Sequence, residues 1–255
     1  MSVLREFGIA LSLLTRLPVR LSGTITKAEQ ARSVIWYPLV GLTLGLTLLV
    51  PALLLQSVRL DPLVTAAMLV TLWVWLTGAL HLDGLADTAD AWLGGQGDRE
   101  RSLAIMKDPA CGPAGVVAIV LLLLLKVVLL AELLSHGQDA LLVLLLTPTI
   151  ARAACTGMFL FLPYVRPGGL GAAAGEAPPH QPGRGVLLIG AVLCPLLAGF
   201  AGVGMVASAL LVFWLFARYL QRWLGGFTGD TAGALTEIIE CTALLAAVLV
   251  LTGMQ

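Results

Sequence analysis

Pro62-Leu-Val-Thr-Ala-Ala-Met-Leu-Val-Thr-Leu-Trp-Val-Trp-Leu-Thr-Gly-Ala-Leu-His-Leu-Asp83-Gly-Leu-Ala-Asp87-Thr-Ala-Asp90 joins an apolar run directly to three aspartates. The first part is long enough to cross a bilayer, which takes roughly 20 mainly apolar residues. The second part puts carboxylates at its end. The rest of the chain repeats the first theme. Of its 255 residues 58% are hydrophobic and only 12% charged, and the mean hydropathy is +0.96. A soluble domain carries about 25% charged residues. A globule of this size exposes too much surface to hide so many apolar side chains. The composition excludes an ordinary soluble enzyme, a disordered chain and a nucleic-acid binder working by bulk positive charge. It predicts an all-α fold, a polytopic transmembrane helix bundle forming one integral membrane domain over residues 1–255.

Seven stretches qualify as spans: 34–56, 62–82, 112–134, 139–162, 185–201, 203–224 and 232–252. Only a Gly-rich turn separates the fifth from the sixth. Segment 7–15 is too short to cross and is expected to lie in the interface or to enter half-way. Arg16, Pro18 and Arg20 follow it without a small-residue cleavage site, so it does not read as a signal peptide. The formal net charge is zero, but position carries the information: 11 of the 15 basic residues fall in segments 16–33, 83–111, 163–184 and 218–231. The positive-inside rule makes these segments cytoplasmic. Cys111, Cys155, Cys194 and Cys241 are far apart and show no metal-binding spacing. Loop 163–184, rich in Gly, Pro and Ala, is a connector or a lid.

Asp83, Asp87 and Asp90 fall within about 60° of one another on a helix. Carboxylates gathered on one face repel unless a cation lies between them. An all-oxygen site suits Mg²⁺ or Mn²⁺, and Mg²⁺ binds substrate phosphates as well. The competing reading is an acidic helix start. His81 faces away from the aspartates on a continuous helix and is read as substrate-binding or as an interfacial hydrogen-bonding group. Next come Lys107-Asp108 and a span opening with Gly112, Pro113 and Gly115. Glycines allow close backbone approach, and a helix start offers free N–H groups to an anion. Lys107 can neutralise phosphate. Asp108 is a candidate base, metal ligand or cap.

A third stretch, Gly225-Gly-Phe-Thr-Gly-Asp-Thr231, leads into a span holding Glu237 and Glu240. Gly229 and Thr231 are candidate substrate contacts and Asp230 a candidate metal ligand. An ionised Glu at that depth costs a few kcal/mol or more, so it must face protein, water or a cation. Glu237 is a candidate catalytic carboxylate, or a protonated group bonding a neighbouring helix. Arg152 is suited to forked pairing with phosphate or carboxylate. Lys126 is expected to pair with Glu132 or Glu237, or to snorkel.

In these residues the chain resembles the cobalamin synthase family, the adenosylcobinamide-GDP ribazoletransferases. The similarity lies in His81-Leu-Asp-Gly-Leu-Ala-Asp-Thr-Ala-Asp90, Ile105-Met-Lys-Asp108, Gly225-Gly-Phe-Thr-Gly-Asp-Thr231 with Glu237, Thr15-Arg-Leu-Pro-Val19 and Trp36-Tyr-Pro-Leu-Val-Gly41. It departs after Lys107-Asp108, where Pro109-Ala-Cys-Gly112 replaces a run with a basic side chain, and after Asp90, where Ala91-Trp92 stands in place of an early Gly. The resemblance implies transfer of the phospho-cobinamide group of adenosylcobinamide-GDP to α-ribazole or α-ribazole 5′-phosphate, with release of GMP. It also implies Mg²⁺ and a multi-pass protein of the bacterial inner membrane. Because the motif carboxylates lie beside the segments read as cytoplasmic, the active site is expected to face the cytoplasm. Membrane lipid is the other expected partner and nucleic acid is not; a homo-oligomer is left open. Under this reading Asp83, Asp87, Asp90 and Asp230 hold the metal, and Asp108 or Glu237 takes the hydroxyl proton. Lys107, Arg152, His81, Gly112, Gly115, Gly229 and Thr231 meet the substrates. The rival enzyme is a CDP-alcohol phosphotransferase, whose motif expects Ala-Arg where this chain has Ala-Asp. A secondary transporter would use Glu237, Lys126 and Arg152 as an ion path, but no inverted repeat is evident.

Overall fold

A computed structural model describes residues 3–169 and 171–254, and every regular element in them is helical. A lone bridge between Tyr164 and Phe227 is the only β-type pairing among the described residues. The first helix, α1 (Val3–Leu14), is about 18 Å long at 1.5 Å per residue, too short to cross. It is tied to α2 (Lys27–Ser33) by Arg5–Glu29 at 2.7 Å and Glu6–Arg32 at 2.6 Å. A 3₁₀ turn then leads into α3 (Tyr37–Ser57).

The second predicted span ends early. Helix α4 (Pro62–Thr77) stops at Gly78 (φ 62°) and Ala79 (φ 59°), both left-handed, and the chain turns through 88° into α5 (Leu80–Gly95). Glycine suits the first of these positions because a side chain at 78 would also run into the Arg16 side chain. The expected span 62–82 is thus corrected. His81 and the three aspartates belong to a separate helix, laid across the start of α11 at one end of the bundle. That helix continues through α6 (Arg99–Ile105) to the long apolar α7 (Pro113–Leu134) and α8 (Gln138–Phe161).

After short α9 (Ala172–Glu176) comes α10 (His180–Trp223), 44 residues long. It is not a single rod. Gly199 (φ 55°, ψ −134°) breaks it, and a Cβ at Gly202 would strike the Cys194 carbonyl. In a straight helix residues eight apart are about 12 Å from each other, so the chain folds back here as a hairpin. Finally α11 (Gly229–Thr252) runs through the centre of the bundle. Five helices are long and apolar enough to cross a membrane, or six with the bent α4–α5 pair counted as one span. The hairpin inside α10 accounts for the seventh predicted crossing. The chain is accordingly a multi-pass helical membrane protein.

Helices α3 and α8 pack closely. Gly41 and Gly45 lie one turn apart on α3, and a Cβ at either would strike the Pro148 or Leu145 carbonyl of α8. Small residues at this spacing let helix backbones meet in lipid, where packing replaces the hydrophobic effect as the driving force. Gly45→Val should therefore lower stability by about 1–3 kcal/mol through overpacking, read as a lower unfolding temperature in detergent. Leu46→Val, on the exposed face next to it, should leave that temperature nearly unchanged.

Candidate active site

A cavity of about 1040 Å³ opens at the end of the bundle where α5, α11 and the loops after α6 and α8 meet. Two glycines set that crossing. A Cβ at Gly84 would lie 2.6 Å from the Asp230 carbonyl, and one at Gly233 would lie 3.2 Å from the His81 Cα. Glycine in each motif thus lets α5 and α11 touch backbone to backbone. Basic residues gather at the same end. The Arg16 amide bonds the Leu76 carbonyl at 2.7 Å, Arg99 Nε bonds the Leu224 carbonyl at 2.7 Å, and Arg166 reaches Asp230.

The four aspartates expected to share a metal do different things. Asp83 and Asp87 line the cavity, one turn apart on α5. Asp83 is exposed and Asp87 half-buried, so two like charges stand close together at the cavity. Asp90 points elsewhere. Its two oxygens accept the Gly112 amide at 2.7 Å and the Gly115 amide at 2.8 Å. It therefore caps α7 from another helix, satisfying amides that the helix start leaves orphaned. A Cβ at Gly112 or Gly115 would come within 2.6 Å of its carboxylate, so these glycines make room for Asp90. Asp230 lines the cavity but is engaged by Arg166 Nη1 at 2.6 Å and by the Thr228 hydroxyl at 3.4 Å. Among the described residues no three His, Cys, Asp or Glu side chains form a metal-binding group. Mg²⁺ does not need one, since it is held by one or two carboxylates together with substrate phosphates and water. Asp83 and Asp87 fit that requirement.

Lys107 and Asp108 also line the cavity and are exposed. Lys107 makes no ion pair among the described residues, whereas Asp108 accepts the Ala110 amide at 2.9 Å. Gly229 borders the cavity at the start of α11, beside the Tyr164 hydroxyl. Thr231 is wholly buried and forms a reciprocal cap with Thr228, so its hydroxyl serves the helix start.

Arg152 and Glu237 do not reach the cavity wall. They belong to a sealed ionic network: Lys126 Nζ lies 2.6 Å from Glu237 and 2.5 Å from Glu240, and Arg152 Nη1 pairs with Glu240. The two cations and two carboxylates balance. All four residues are at most 4% exposed. Arg152 Nη2 also lies 3.2 Å from His81 Nδ1. A guanidinium only donates, so Nδ1 accepts and the proton of a neutral His81 sits on Nε2. His81 itself borders the cavity. The sequence leaves Lys126 open between Glu132, Glu237 and snorkelling; its partners are Glu237 and Glu240. For Arg152 it left phosphate and carboxylate open, and the partner is a carboxylate. It did not single out Arg166 or Tyr164, which lie in a Gly/Pro-rich loop without a periodic pattern.

Comparison with known proteins places these residues in a family. The chain matches the family model described as cobalamin-5-phosphate synthase over residues 6–248. A protein of Pseudomonas putida (strain W619) named adenosylcobinamide-GDP ribazoletransferase is 55% identical over 239 residues, 94% of this chain and 96% of that protein. Proteins of the same name from Pseudomonas syringae pv. syringae (strain B728a), 52% identical, and Pseudomonas aeruginosa (strain PAO1), 51% identical, are covered over 97% of their lengths, matching 94% and 95% of this chain. No solved structure matches.

The aspartates should separate by stability. Asp90→Ala leaves two amides without their charged acceptor, an expected loss of about 1–3 kcal/mol. Asp87→Ala removes like-charge repulsion and should leave the unfolding temperature in detergent unchanged or raised.

Proposed function

The chain belongs to the cobalamin-5-phosphate synthase family, and on that premise we propose that it acts as an adenosylcobinamide-GDP ribazoletransferase in the late assembly of the cobalamin nucleotide loop. The ribose 3′-hydroxyl of α-ribazole, or of its 5′-phosphate, attacks the phosphorus joined to cobinamide. The bond from that phosphorus to GMP breaks, and the hydroxyl proton leaves to a carboxylate. The products are adenosylcobalamin, or its 5′-phosphate, and GMP.

One observation carries the reading: two carboxylates, Asp83 and Asp87, face a cavity that also presents Lys107 and Arg166. Such transfer is mainly a matter of positioning and charge neutralisation. Asp83 and Asp87 would hold Mg²⁺, which when bound neutralises diphosphate charge and orients its oxygens. Lys107 meets phosphate as a mobile point charge. Arg166, held by Asp230, presents a fixed guanidinium beside the start of α11, where the helix dipole also favours an anion. Asp108, exposed at the cavity, is placed to take the hydroxyl proton. Asp90 acts through α7, fixing the wall behind the aspartates.

The setting that fits is the bacterial inner membrane with the cavity on the cytoplasmic side. The segments rich in Arg and Lys surround it, and both substrates are polar.

Asp87→Asn should insert and fold as the parent does, yet lose Mg²⁺-dependent GMP release by roughly a hundredfold or more. Full activity would remove Asp87 from the site. Sidedness has a natural probe, because Cys111 is exposed at the cavity while the other three cysteines are buried. A membrane-impermeant thiol reagent should label Cys111 in inverted vesicles and not in intact cells.

A further inference from the structure

The cavity has a second wall that charge does not explain. Tyr37 from the start of α3, Phe159 near the end of α8 and Tyr164 from the loop beyond it line that side. The Phe159 and Tyr164 rings are nearly parallel, 13° apart with centroids 6.3 Å from each other. Phe227 stands edge-on to both, at 4.9 Å and 5.2 Å. Phe227 is wholly buried and held by its backbone, which bonds Pro163 and Val165 at 2.9 Å each. The aromatic pair is therefore fixed in place. Tyr37 meets Phe159 edge to face at 6.2 Å.

Tyr37 is 4% exposed, and its hydroxyl makes no hydrogen bond among the described residues, yet it is not sealed off from the cavity that the residue lines. A ligand in the cavity can bond it. Flat fixed rings whose polar atoms are two phenol hydroxyls, that of Tyr164 lying beside Gly229 and that of Tyr37 unbonded, suit a planar aromatic base, since stacking on aromatic side chains needs only a π-face.

Resting on the transferase reading above, we propose that Tyr37, Phe159 and Tyr164, braced by Phe227, seat the planar aromatic base of the acceptor nucleoside, with the Tyr37 hydroxyl bonded to it. The donor also carries a planar base, guanine. The polar content of the wall chooses between them. Guanine presents several acceptors and donors along its edges, and each one buried without a partner costs affinity. The benzimidazole base of the acceptor has a single unsubstituted ring nitrogen and an otherwise apolar edge. One hydroxyl satisfies it.

The test uses the full chain in lipid nanodiscs. Binding of α-ribazole and of GMP is measured separately by equilibrium dialysis, and KM for acceptor and donor is measured by GMP release. Phe159→Leu keeps bulk and removes the ring. It should raise the α-ribazole Kd and the acceptor KM about tenfold or more, with GMP binding and donor KM within about twofold. Tyr37→Phe keeps the ring and should raise the acceptor values about fivefold; it decides the matter alone if Phe159→Leu fails to fold. An effect confined to GMP and the donor would overturn the proposal by moving guanine to this wall. Unchanged constants for both substrates would overturn it outright. If the parent protein binds α-ribazole with this dependence but releases no GMP, the seat stands and the transferase reading falls. Normal turnover with unaltered acceptor constants does the reverse.

Discussion

Four charges buried in the bundle govern the rest of the structure. Lys126, Arg152, Glu237 and Glu240 come from α7, α8 and α11 and are sealed from water. A single charge left alone there would cost several kcal/mol. The four cancel, and each has at least one partner of opposite sign. This requirement fixes the three helices against one another at one depth. Through the contact between Arg152 and His81 it also reaches α5, which carries the acidic motif. The register of α11 then places Asp230 and Gly229 at the cavity, two turns from Glu237.

At the cavity the charges are deliberately less balanced. Asp83 and Asp87 are like charges one turn apart, and Asp87 is half-buried. That is the condition in which a divalent cation binds well. The same residue type does other work within a few residues. Asp90 caps α7, and Asp230 holds Arg166. The network in the interior is equally unlike an ion path. Its charges are paired with one another, with only the Arg152 Nε left without a partner, so phosphoryl transfer draws on the groups at the membrane boundary.

Much of this was legible in the sequence. The seven apolar stretches are helical apart from the breaks at Gly78-Ala79 and Gly199, basic residues gather at one end, and the aspartate, Lys107-Asp108 and Gly-Asp-Thr motifs converge there. What escaped has physical reasons. Hydropathy cannot register the left-handed turn at Gly78-Ala79, because Leu80 and Leu82 continue the apolar run beyond it. Helical spacing put Asp90 on the face of Asp83 and Asp87, but its partners lie more than 20 residues ahead in the chain and depend on how α7 docks. Arg152 and Glu237 look like site residues in the sequence because buried charge usually marks function. Here each found the other kind of partner, an opposite charge on a neighbouring helix.

The central claim is that the buried network supports the fold and the cavity carboxylates support the chemistry. It is tested most directly by removing one balanced pair, Lys126→Met with Glu237→Gln, and measuring GMP release alongside the unfolding temperature. The account predicts that either single change destabilises the protein and that the double variant, neutral again, recovers stability and turnover together. A double variant that unfolds at the parent's temperature but no longer releases GMP would contradict it.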